Sequence, residues 1–293
     1  MVRVVYIAGE GHSGSTLLEN ILSTDPNSYP VGEVRKLKWF AKKHVYKKSR
    51  KGSQFLCSCG KDLSRCELWG NVLEDIDTDK LNPSFKDKIR IYLNALGILR
   101  RISFPRGGEK EMYESISQHA SHLAGTKIKT IIDSSKVLPY LSYLSATMDL
   151  KISVLHIVRD GRAVINSFEK SKSIHRHWLK TFLFWILTNT SIPLLCRQRG
   201  IRYYRVSYDV LAQEPEQVVR KINDTLDLDA SIEGLQGVHD TLHTFAGNKG
   251  RLGKMQTIRY DQSWRREMPA WKRGLLTTLC YLPNKIWVHN NES

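Results

Sequence analysis

Met1-VRVVYIAGEGHSGSTLLENILS, residues 1–23, is the stretch that decides how this chain is read. Val2 to Ala8 is a short apolar run rich in β-branched residues, the pattern of a strand buried on both faces. It passes directly into Gly9-Glu10-Gly11-His12-Ser13-Gly14-Ser15-Thr16, after which Leu17, Leu18, Ile21 and Leu22 recur at helical spacing. A strand, a glycine-rich turn and a helix, in that order, aim several backbone N–H groups and the positive end of a helix dipole at one point. Such a point is an anion site, and phosphate is its usual occupant.

The spacing Gly9-x-x-x-x-Gly14-Ser15-Thr16 nearly spells a nucleotide-triphosphate loop, but Ser15 stands where the lysine belongs. That lysine reaches the β- and γ-phosphates, so its absence counts against an ordinary kinase or NTPase. What remains is a set of small hydroxyls and amides suited to one tetrahedral group. This resembles the 5′-phosphosulfate loop of sulfotransferases that use 3′-phosphoadenosine-5′-phosphosulfate (PAPS). In that family a lysine or arginine precedes Ser-Gly, followed by Ser or Thr, Thr and Leu. The resemblance implies that Gly11, His12, Ser13, Gly14, Ser15 and Thr16 contact the cofactor. His12 replaces the family's cation, which is a departure.

Further along, Lys151-ISVLHIV is the best strand pattern in the chain, and it runs into Arg159-DGRAVINSF. Arg159, with Ser167 eight residues later, resembles the 3′-phosphate motif of the same family, which implies that both hold that phosphate. A guanidinium suits the task because its planar fork donates two hydrogen bonds at once. The segment Ala246-GNKGRLGK, followed by Ile258-RYDQSWRREMP, resembles the family's late basic loop. It implies a cofactor contact from Arg251. The text CSCGKDLSRCELW, residues 57–69, resembles a segment of poorly characterised bacterial-type sulfotransferases and assigns no role.

Sulfuryl transfer requires removal of the acceptor's proton, positive charge or donors around the moving group, and neutralisation of the departing oxygen. Gly32-Glu33-Val34-Arg35 resembles the context of the glutamate base in tyrosylprotein sulfotransferases, which implies that Glu33 is the base. A glutamate favoured by a helix dipole is the plain reading of the same residue. Lys136, in Asp133-Ser-Ser-Lys136, resembles a sulfate-contacting lysine, and a surface lysine is the alternative. His12 can act as a protonated donor, as a neutral base, or only as a contact to the sulfate. The catalytic candidates are therefore Glu33, His12 and Lys136. No metal is required, since PAPS has no β,γ-diphosphate to chelate.

The chain has 293 residues, of which 41% are hydrophobic, enough for a sizeable core. No run reaches the roughly 18 apolar residues that span a bilayer. Thr181-FLFWILTNTSIPLLC comes nearest but is interrupted by Thr188, Asn189, Thr190 and Pro193. No signal-peptide pattern is visible, and a cytoplasmic protein without a transmembrane segment is expected. The net charge of +16 suits an anionic cofactor, an acidic acceptor, nucleic acid or a membrane surface without choosing among them. With the motifs, the expected partner is a hydroxyl-bearing acceptor (peptide, glycan or lipid) and not a nucleic acid. The cysteines Cys57, Cys59 and Cys66 cluster, and reduced thiols, a disulfide or a metal site that takes His44 or a distant cysteine as fourth ligand all stay open. Strands alternating with helices predict an α/β fold: a P-loop-like three-layer α/β/α sandwich on a central parallel sheet. A single domain over 1–293 is expected, with a helical acceptor-side insertion at about 34–125.

Overall fold

The computed structural model describes residues 2–46, 56–81, 88–99, 104, 106–147, 149–171, 175–236, 242–246 and 258–289. Five strands form its sheet: β1 (Arg3–Ala8), β2 (Ser28–Gly32), β3 (Thr130–Lys136), β4 (Lys151–Val158) and β5 (Arg202–Ser207). All pairings are parallel and the order is β2-β3-β1-β4-β5. The first strand of the chain is therefore central. The connections leave β1 in opposite directions on its two sides, which opens a crevice beyond its carboxyl end.

The helices follow the chain: α1 (Ser15–Leu22), α2 (Leu37–Tyr46), α3 (Glu67–Asp75), α4 (Lys88–Ala95), α5 (Glu109–Ala124), α6 (Leu138–Thr147), α7 (Gly161–Lys170) and α8 (Trp178–Arg199). After β5 come α9 (Tyr208–Gln213), α10 (Pro215–Leu226), α11 (Trp264–Glu267) and α12 (Ala270–Asn284). Period-two alternation in β1 sorts them into layers. Val4, Tyr6 and Ala8 face Trp69, Met112, Tyr113, Tyr140 and Ile192. Val5 and Ile7 face Leu18, Ile21, Leu211, Val219 and Ile222 on the other side. The result is the expected α/β/α sandwich. The helical segment after Glu33 contributes α3 and α5 to one of its two outer layers, beside α6 and α8.

Tyr29-PVG lies in β2, which stands at one end of the strand order and forms an edge of the sheet. The apolar stretch around Thr188 to Pro193 is one unbroken 22-residue helix, α8, which carries Pro193 inside it. Among the described residues it is the one helix long and apolar enough to cross a membrane by length and composition. Its polar side chains turn inward instead. Asn189 Oδ1 lies 3.0 Å from His156 Nε2, and Thr188 Oγ1 donates to Glu10 Oε2 at 3.3 Å.

A strap at residues 242–246 closes the edge beside β2. Phe245 N donates to the Val31 carbonyl at 3.4 Å, and Glu33 N donates to the Phe245 carbonyl at 3.2 Å. Gly32 permits this approach: its φ is +79°, and a Cβ there would lie 2.1 Å from the Phe245 oxygen. The left-handed conformation alone costs an L-residue about 1–2 kcal/mol, before the backbone clash. Gly32→Ala is therefore expected to lower Tm by roughly 5 °C or more in a thermal melt. A Tm within a degree of wild type would mean that the strap yields freely.

Candidate active site

The turn after β1 forms the floor of the crevice. Gly14 caps α1 in a left-handed conformation, φ +95°, and offers no side-chain hydrogen bond to the helix. The first helical bond runs from Leu18 N to the Gly14 carbonyl at 3.1 Å. The N–H groups of Ser15, Thr16 and Leu17 therefore have no intrahelical partner. A Cβ at Gly14 would meet the Tyr208 ring at 2.3 Å, so the ring at the start of α9 packs directly on the turn. Ser13 and Ser15 are buried in this turn, while Gly11 and Thr16 are partly exposed. An uncapped helix start with small neighbours is an anion cradle.

His12 sits in the turn with φ +63°, its ring meeting Phe168 of α7 edge-on at 4.5 Å. Burial, then the cations Lys136, Arg159 and Arg176, push its pKa below the ordinary value. The surroundings therefore favour the neutral ring.

Arg159 follows β4 directly and is 6% exposed. Its NH1 donates to the His12 carbonyl at 3.1 Å, which ties the two sequence motifs together. NH2 donates to Asp261 Oδ2 at 2.8 Å, and the guanidinium stacks 4.6 Å over the Tyr208 ring. Its Nε is buried with no hydrogen-bond partner among the described residues. Arg162 is different: it pairs with Asp160 at 2.6 Å and stacks on Trp264 at 4.1 Å, both contacts that hold α7 and α11 in place. Ser167 is half-buried on α7, one residue before Phe168. Arg251 lies outside the described residues.

The third element is a carboxylate ringed by cations. Lys136 Nζ donates to Glu33 Oε1 at 2.8 Å, Lys36 Nζ pairs with Oε2 at 2.6 Å, and Arg35 NH2 lies 3.4 Å from Oε2. Lys136 reaches inward because β3 ends irregularly, with φ +69° at that residue. Burial alone would raise the Glu33 pKa, but Lys136 and Lys36 outweigh it and hold the group at about 2. Lys136→Met is accordingly expected to raise the Glu33 pKa by about one unit or more, read from a carboxyl-carbon NMR titration. An unmoved titration would show that Lys36 alone sets it.

Several residues of the crevice were not found by sequence reasoning. Arg176 pairs with buried Glu10 at 2.9 Å and lies 4.2 Å over the Phe168 ring. Glu19 of α1 accepts from Gly32 N at 2.7 Å and from Ser134 Oγ at 2.8 Å, binding α1 to the ends of β2 and β3. Burial pushes its pKa up to about 7. A visible signal existed for Glu19, an acid among Leu17, Leu18, Ile21 and Leu22 on an apolar helix. Asp261 lies in the segment Ile258-RYDQSWRREMP, already singled out in the sequence, whereas no signal existed for Arg176 or Tyr208, which the crevice gathers from distant segments.

No protein-family model and no curated protein matches the sequence. Solved structures do. One is a sulfotransferase domain from the curacin biosynthetic pathway, at 15% identity and a TM-score of 0.54, covering 95% of this chain and 97% of that one. Another is a sulfotransferase domain from the olefin synthase of Synechococcus PCC 7002, at 19% identity and a TM-score of 0.48, covering 95% and 94%. This chain has the α/β fold of sulfotransferase domains.

Proposed function

We propose that this protein transfers a sulfuryl group from PAPS to a hydroxyl acceptor. One observation carries the reading. A single crevice holds an uncapped helix start, a buried arginine bonded to the same turn, and a carboxylate clasped by Lys136.

PAPS supplies the sulfuryl group on a diphosphorylated nucleoside that leaves without it. The turn Gly11–Thr16 holds the 5′-phosphosulfate through backbone N–H groups and small hydroxyls. Arg159 and Ser167 take the 3′-phosphate. The unpartnered Nε of Arg159 supports this, because a buried donor without a partner is costly and an added anion satisfies it.

Lys136 stands between two duties. It pairs with and neutralises Glu33. With an anion in the cradle it is drawn towards the sulfuryl and bridging oxygens, where charge develops. Glu33 then loses one of its cations and becomes a stronger base for the acceptor's proton. His12, neutral beside these groups, serves as a contact to the sulfate and orders the turn through its carbonyl. The acceptor enters from the side of segment 34–125, whose first turn supplies Arg35 and Lys36.

The test is transfer of labelled sulfate from PAPS to a panel of tyrosine peptides, glycans and lipid alcohols. Labelled product in one of these classes, absent with Glu33→Gln, is the expected result. Phosphate transfer from ATP·Mg²⁺ with no sulfate transfer would overturn the reading.

A further inference from the structure

Three sulfurs and one imidazole meet away from the anion cradle. The ligand atoms of Cys57, Cys59, Cys66 and His243 all lie within 4.8 Å of one another. Nδ1 of His243 is 3.1 Å from Cys66 Sγ and 3.7 Å from Cys57 Sγ. A tetrahedral zinc ion, with Zn–S near 2.3 Å and Zn–N near 2.0–2.1 Å, spaces its ligand atoms roughly 3.5–3.8 Å apart. The observed cluster needs only small side-chain adjustments to close on such an ion. We propose that these four residues form a structural zinc site.

The surroundings are built for thiolates. Cys57 and Cys66 are buried beside each other and Cys59 is partly exposed. Cys66 also caps α3, where the helix dipole favours a negative sulfur. Three cysteines cannot all pair as disulfides, and all three are free here. His243 comes from 177 residues beyond Cys66, yet its segment is held against the cysteine loop independently of any ion. Ser58 N donates to the Thr244 carbonyl at 2.8 Å, Ser58 Oγ donates to the Leu242 carbonyl at 2.6 Å, and Trp69 Nε1 donates to the His243 carbonyl at 2.7 Å. Three thiolates and one imidazole select zinc over magnesium or calcium, and four protein ligands leave no open position for catalysis. The role is mechanical. Phe245, two residues on, carries the carbonyl that accepts from Glu33 N, so the ion fastens the strap that seats Glu33. This site does not rest on the sulfuryl-transfer reading.

The test is elemental analysis of untagged protein purified without chelator. About one zinc per chain is expected, lost in Cys66→Ser and retained in His243→Cys, where a fourth thiolate replaces the imidazole. Because Cys66→Ser can fail to fold, cobalt exchange into the wild-type chain gives a second reading: strong visible absorption from tetrahedral thiolate-bound cobalt. Folded protein with no metal and three readily alkylated thiols would overturn the proposal. So would iron in place of zinc, or a disulfide between any two of Cys57, Cys59 and Cys66 in non-reducing mass spectrometry.

Discussion

Glu33→Gln is expected to lower turnover by about 10²–10⁴-fold, the range for removal of a general base. Glutamine keeps the shape of the side chain but can neither pair with Lys136 and Lys36 as a carboxylate nor take a proton. Nucleotide affinity should change by less than about tenfold, since the carboxylate is bonded to Lys136, Lys36 and Arg35 and not to the N–H groups of the Gly11–Thr16 turn. A second signature separates the charge from the chemistry. Burial raises the Glu33 pKa and the two lysines more than reverse this, to about 2. A depressed carboxylate pKa contributes stability that is fully present above the unfolded value near 4.5 and lost as pH falls through about 2. The wild-type chain should therefore lose on the order of 3 kcal/mol between pH 6 and pH 2 through this group, and Glu33→Gln should lack that component in denaturant titrations. Wild-type turnover in the variant, with an acceptor that supports the native enzyme, would remove Glu33 from the chemistry.

The second large effect concerns Arg159. Arg159→Ala is expected to weaken binding of 3′-phosphoadenosine-5′-phosphate about 100-fold, equivalent to about 2.7 kcal/mol. Charge-assisted hydrogen bonds are worth about 1.5–3 kcal/mol each, and the guanidinium is largely out of water. Arg159→Lys should recover only part of the loss, because an ammonium cannot form the planar fork or stack on Tyr208 in the same way. Arg162→Ala is the control. That arginine is committed to Asp160 and Trp264, so its loss should lower Tm and leave nucleotide affinity within a few-fold. Equal losses of affinity in both variants would mean that α7 is simply disordered by either change.

Much of this architecture was legible because it is local. The β1 run, its glycine turn and the Leu17–Ile21 spacing lie within about twenty residues, and their reading needs only the strand and helix periods. The β4–α7 turn is legible for the same reason. What escaped was assembled across the chain. The fourth member of the cysteine cluster is His243, one of several histidines without a pattern, brought there by the bonds of Ser58 to Leu242 and Thr244 and of Trp69 to the His243 carbonyl. The cation ring at Glu33 depends on Lys136 adopting φ +69° at the end of β3, a strained conformation that no propensity foretells. Thr188, Asn189 and Pro193 were read as breaks in an apolar run. In the fold they are tolerated because the two polar side chains find Glu10 and His156 in the interior.

The most direct measurement is a calorimetric titration with 3′-phosphoadenosine-5′-phosphate, run beside ATP·Mg²⁺ and AMP on the wild-type and Arg159→Ala chains. Preferential binding of the 3′-phosphorylated nucleotide, sharply weakened in the variant, is the predicted result. Preference for ATP·Mg²⁺, or no binding of any of the three, would contradict the assignment of the crevice.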